Sequence, residues 1–128
     1  MAVVVTLTDT ERKAQLDGMA ARANGGKLSL YTAADGLAAE IPLNATAFGA
    51  AAGTGTCTIT AATSPNALVD ADADGNASAV TKALLKTSAG AEMLQGNVST
   101  SAAALNLSRT TIALHDTVTL SSLVYSLT

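Results

Sequence analysis

KLSLYTA, residues 27 to 33, alternates with a period of two: Leu28 and Leu30 fall on one face, Lys27, Ser29 and Tyr31 on the other. Successive side chains of an extended chain point to opposite faces, so this spacing predicts a β-strand. Just before it the period is different. Thr8-Asp9-Thr10-Glu11 has the T-x-x-E pattern of a capping box, with Thr8 as N-cap and Glu11 reaching back to its amide. Ala14, Leu16, Met19, Ala20 and Ala23 then recur at helical spacing, and Asn24-Gly25-Gly26 supplies residues that tolerate the positive φ of a helix end. The pattern predicts one helix over about residues 9–24. Gly18 within it costs about 1 kcal/mol relative to alanine, which suggests close packing against another backbone.

Beyond residue 27 the period of two persists. AAEIPLN (38–44), with a Pro42 that suits an edge or a bulge, TGTCTITAA (54–62), ASAVTKALLKT (77–87), AEMLQGNVS (91–99), ALNLSRT (104–110) and TVTLSSLVYSLT (117–128) each read as strands. In the last of these the apolar parity changes near Ser121-Ser122, which predicts a bulge or bend. Short strands at ten-residue intervals, separated by Gly, Asn, Asp and Ser, describe a mainly all-β fold: an antiparallel β-sandwich or barrel with one N-terminal α-helix. AFGAAAGTGT (47–56) reads as a mobile small-residue loop. MAVVVTLT (1–8) reads as an N-terminal β-arm ahead of a single domain, 9–128. Val3, Val4, Val5 and Leu7 in that arm are candidate protein-interface residues, adding a strand to the chain's own sheet or to a neighbour's edge.

The chain has 128 residues, 48% of them hydrophobic but only 2% aromatic, and no tryptophan. One core is possible at this length. It is a thin core, because each buried methylene contributes only about 0.8 kcal/mol and much of the apolar content is alanine. The net charge of −3 and seven scattered Lys and Arg argue against nucleic acid or an anionic membrane as a partner. Cys57 is the sole cysteine, which rules out an intrachain disulfide. No run approaches a membrane span and the N-terminus has no basic leader, so synthesis in the cytoplasm is expected.

DADADG (70–75) resembles the opening of a calcium loop. Asp70, Asp72 and Asp74 would be its first ligands, Gly75 the sharp turn, and Asn76 and Ser78 later ligands. The twelfth position is Thr81 rather than a bidentate glutamate, and the flanks read as strands, so a solvated turn without metal is the expectation. His115-Asp116 lacks a nucleophile elbow, and adjacent strand residues point apart, so it reads as a turn. GAAAGTGT (49–56) lacks the third glycine of a dinucleotide site and the Lys-Ser/Thr of a P-loop. Cys57 reads as a small buried hydrophobe. The expectation is a protein that is not an enzyme and carries no cofactor. With Tyr31, Phe48 and Tyr125 as its aromatics, a carbohydrate-binding sandwich would be hard put to build a stacking platform for sugar rings.

RKAQLDGM (12–19), LSLYTA (28–33), ADGNASAV (73–80), LQGNVS (94–99) and LNLSRTTIALHDTVTLSSLVYSLT (105–128), in this order, resemble a family of small tailed-bacteriophage virion proteins that includes capsid cement, or head decoration, proteins. The resemblance spans nearly the whole chain from Arg12. It implies a jelly-roll-like β-sandwich on the exterior of an icosahedral capsid, a homo-oligomer with a dimer favoured, whose partner is the major capsid protein. A tail or head–tail adaptor position is the alternative it leaves open. Ala83 and Leu84 stand where the family often has an aromatic, and Asp116 where a glycine is common before the last strand.

Overall fold

The computed structural model describes residues 6–100, 105–106, 110–120 and 122–128. The helix forms where its local signals place it: α1 runs Asp9–Ala23, with Thr8 as N-cap and Asn24 as C-cap. Thr8 Oγ1 accepts from Glu11 N at 3.2 Å, one half of the capping box. The carboxylate of Glu11 is engaged one turn further on, by Gln15 Nε2 at 3.2 Å. The buried stripe of α1 is Arg12, Leu16, Met19, Ala20 and Ala23. Ala14, expected on that stripe, is exposed and Arg12 takes its place. Gly18 is also exposed, and a Cβ there would meet nothing within 4 Å. The expected close packing at this glycine is therefore absent.

Ten strands follow among the described residues: β1 Lys27–Thr32, β2 Leu37–Pro42, β3 Ala52–Thr54, β4 Thr56–Thr60, β5 Leu68–Asp70, β6 Val80–Lys86, β7 Glu92–Ser99, β8 Leu105–Asn106, β9 Val118–Leu120 and β10 Val124–Leu127. They form a five-stranded sheet β2-β1-β6-β7-β8, a three-stranded sheet β10-β4-β3 and a pair β5-β9. All pairings are antiparallel except the short β7–β8 contact, which is parallel. The architecture is mainly β with one N-terminal helix, as the alternation predicts.

The register explains the core. Leu28 lies opposite Ile41 and Leu85, and Leu30 opposite Ala39 and Ala83, so one face of the large sheet is continuously apolar. Cys57 and Ile59, both fully buried, present the inner face of the three-stranded sheet, and α1 packs against β4. Leu28, Phe48 and Leu85 face Leu123 and Tyr125 across the layer between the sheets. At about 2 kcal/mol each, Leu16, Leu30, Ile41 and Ile59 contribute more to this core than its alanines do.

Three expectations change. The stretch 47–56 is not a free loop: Ala47 N donates to Asn24 Oδ1 and Ala51 N to Asp17 Oδ1, each at 2.9 Å, and Ala52–Thr54 pairs with β4. Ser29, on the polar parity of β1, is fully buried. On its face Tyr31 reaches along the sheet to Lys86, whose Nζ lies 4.8 Å from the ring centroid. Ser29 Oγ has no hydrogen-bond partner among the described residues. In the last segment the parity change is a change of sheet, because β9 pairs with β5 and β10 with β4.

Candidate functional site

Asp70 ends β5, and the structure turns both of its carboxylate oxygens onto the backbone. Oδ2 accepts from Glu40 N of β2 at 2.9 Å, and Oδ1 from Asp72 N at 3.0 Å. From there the chain runs beside residues 110–118 in an irregular ladder. Ala73 N donates to Asp116 O, His115 N to Ala73 O, Asn76 N to Ile112 O and Val80 N to Thr110 O, all at 2.8–3.0 Å. Ala73 is fully buried between two exposed aspartates. Gly75 has φ 75°, and a Cβ there would lie 2.2 Å from Leu114 N, so the two segments touch backbone to backbone. Only glycine fits such an approach.

The three aspartates consequently do three different things. Asp70 staples β5 to β2, Asp72 contacts His115 Nδ1, and Asp74 is exposed. Among the described residues no group of three or more His, Cys, Asp or Glu is gathered in a way that could hold a metal ion. Asn76, cast by the loop pattern as a ligand, uses its Oδ1 to accept from Ser78 N at 3.0 Å.

His115 has φ 68° and occupies a turn ahead of β9. Asp116 is engaged locally, its Oδ2 accepting from Ala113 N at 2.9 Å. The carboxylate that orients the imidazole is thus Asp72, 43 residues away, and not the neighbour in sequence. Each motif is visible by itself, but only the β5–β9 register brings them together. Both side chains are more than two thirds exposed, so the contact is worth at most about 1 kcal/mol.

The helix N-terminus is the second place where polar side chains converge. Asp9 Oδ1 accepts from Gly55 N and from Arg12 Nη1, both at 2.9 Å. The Gly55 amide holds the Asp9 carboxyl below its ordinary range. Partial burial opposes this, and the Arg12 guanidinium reinforces it. The buried Cys57 thiol approaches the same residue, 4.0 Å from Asp9 O and 3.6 Å from Gly53 O. Asp9 thereby docks the start of α1 on the β3–β4 turn. Of the interface residues expected in the arm, Val3, Val4 and Val5 lie outside the described residues, and Leu7 is 37% exposed beside this dock.

A chemically uniform surface is the outer face of β10-β4-β3. The register places Ala52, Thr54, Thr56, Thr58, Thr60, Val124 and Ser126 together on it, all exposed except the half-buried Thr58. Residues 41–69 and 117–128, which supply the whole sheet, contain no charged side chain. The alternation in TGTCTITAA sets Thr56, Thr58 and Thr60 on one side of a strand, but only the pairing of β3, β4 and β10 pools them with Thr54, Val124 and Ser126 on one surface. No protein-family model matches the chain, and neither the curated proteins nor the solved structures yield a match.

Proposed function

We propose that this chain is a structural virion protein: a cement, or decoration, protein that binds the outer surface of a tailed-phage head and stabilises neighbouring major-capsid subunits. The observation that carries this reading is the outer face of β10-β4-β3, which bears hydroxyls and methyls and no charged side chain. A face of this kind docks on protein without stripping water from ions, and the centres of protein interfaces are depleted of charge for that reason. Threonine contributes a methyl for contact and a hydroxyl for hydrogen bonding at each site.

The family resemblance of the segments from Arg12 onward supplies the identity of the partner, and with it the jelly-roll topology. A decoration protein needs many copies of a modest contact. Neighbouring sites on an icosahedral lattice raise the effective concentration of each contact, which offsets a thin core and a small interface. The test is to mix purified protein with undecorated heads. Added mass on the particles, with a raised midpoint for thermal disruption of the capsid, is the expected result. Particles that gain neither mass nor resistance would rule the reading out.

A further inference from the structure

β10 is an edge strand, and among the described residues it pairs only with β4. The phase of its hydrogen bonds can be read directly. Ala61 N donates to Leu123 O at 2.8 Å, and the β10–β4 register sets these two residues opposite each other. Directly bonded pairs alternate along an antiparallel ladder, so Tyr125 and Leu127 also turn their N–H and C=O toward β4. Val124 and Ser126 therefore turn theirs to the open edge.

Folded proteins usually guard such an edge with a charge, a proline or a bulge. Residues 117–128 contain no charged side chain and no proline, and the β10–β4 register runs without a shift. On the inner side of the edge lie two cavities. One of 200 Å³ is lined by Leu28, Phe48, Leu94, Leu123 and Tyr125, among others. One of 400 Å³ is lined by Leu16, Met19, Tyr125 and Leu127 with Gln15 and Arg22. They sit beside successive inward residues of β10, which is where the inward residues of an added strand would enter.

We propose that this edge is the contact surface for a second copy of the chain, joined β10 to β10 in antiparallel register about a two-fold axis. Such an axis sets each strand's outward-bonding residues against their counterparts, and Ser126 is the residue that meets itself. In that register Tyr125 faces the partner's Leu127, and Val124 faces the partner's Thr128. The two inward side chains of the incoming strand then fill the two cavities, and an aromatic residue pairs with an apolar one across the strands. An isologous contact brings every charged side chain near the axis against its own like, so a strand without charged side chains in a chain of net charge −3 suits this partner. The joined sheets form one six-stranded surface. This inference concerns the chain alone: dimers that ignore capsids, or monomers that decorate them, would separate it from the proposal above.

The test is the mass of the full-length protein by sedimentation, where the monomer is 12.6 kDa. Ser126 is exposed, so Ser126→Lys leaves the subunit intact while setting two lysines directly opposite each other at the axis, their Cα atoms about 5.5 Å apart. The wild type is expected at twice the monomer mass, with Ser126→Lys and Ser126→Glu each weakened at least ~10-fold and their equal mixture restored. Ala89→Lys, in an exposed turn, is the control and stays dimeric. Independently of any variant, amide exchange at Val124 and Ser126 should slow as concentration rises, whereas Tyr125 and Leu127 stay protected throughout. A monomeric wild type, a dimer indifferent to Ser126→Lys, or a dimer abolished by removing residues 2–6 but not by Ser126→Lys would overturn the assignment.

Discussion

Replacing Asp70 with alanine separates a structural from a metal-binding role for the acidic stretch. In the structure Asp70 accepts two backbone amides, one from half-buried Glu40 and one from exposed Asp72. Leaving the Glu40 amide without an acceptor costs about 1–3 kcal/mol, and losing the exposed bond about 0.5–1. The sum is a destabilisation of about 1.5–4 kcal/mol, enough to lower the melting temperature by ~10 °C in a domain of this size. Asp74→Ala removes an exposed carboxylate and should stay within about 0.5 kcal/mol, with Asp72→Ala limited to about 1 by its exposed partner His115. Urea unfolding of the wild type and the three variants, each with calcium and with chelator, measures all of this. The expected order is Asp70 far ahead of Asp72 and Asp74, with curves that do not respond to calcium. Equal losses in all three variants, seen only when calcium is present, would refute the reasoning.

Gly18→Ala should raise stability by about 0.5–1 kcal/mol in thermal melts, since the new methyl meets nothing and glycine is the poorer helix former. Gly75→Ala should do the opposite, by ~2 kcal/mol or more, because its φ of 75° and the 2.2 Å approach to Leu114 N leave no room for a side chain. Asp9 has a lowered pKa in the folded state, so its contribution is complete above its unfolded value of about 3.9 and fades as pH falls through the lower folded value. Asp9→Asn should therefore flatten the acid limb of a stability-versus-pH curve below about pH 4 and destabilise the protein at neutral pH. Ile59→Ala, at a fully buried site, should cost about 2–5 kcal/mol by chemical denaturation.

The helix was legible because its signals are local: Thr8 and Asn24 act within a turn of where they stand. What rotates the helix is not local. Asp9 is held by Gly55 across 46 residues, and that dock buries Arg12 and exposes Ala14. β1 showed its parity in KLSLYTA, but not that Ser29 on its polar side is fully buried, nor that Tyr31 on that side meets Lys86, 55 residues away. β3 and β5, three residues each, carry too little pattern to stand out. Ala52-Gly53-Thr54 is a strand because it folds back on β4, and Leu68-Val69-Asp70 because β9 lies beside it. The candidate site was legible as two fragments, DADADG and His115-Asp116, whose true pairing of Asp72 with His115 follows from register alone.

The most direct test of the proposed role is an image reconstruction of heads carrying the bound protein. The account predicts density for this chain on the capsid exterior, with Thr54, Thr56, Thr58 and Thr60 against major-capsid subunits. Density elsewhere on the particle, or a bound subunit whose threonine face is turned to solvent, would contradict it.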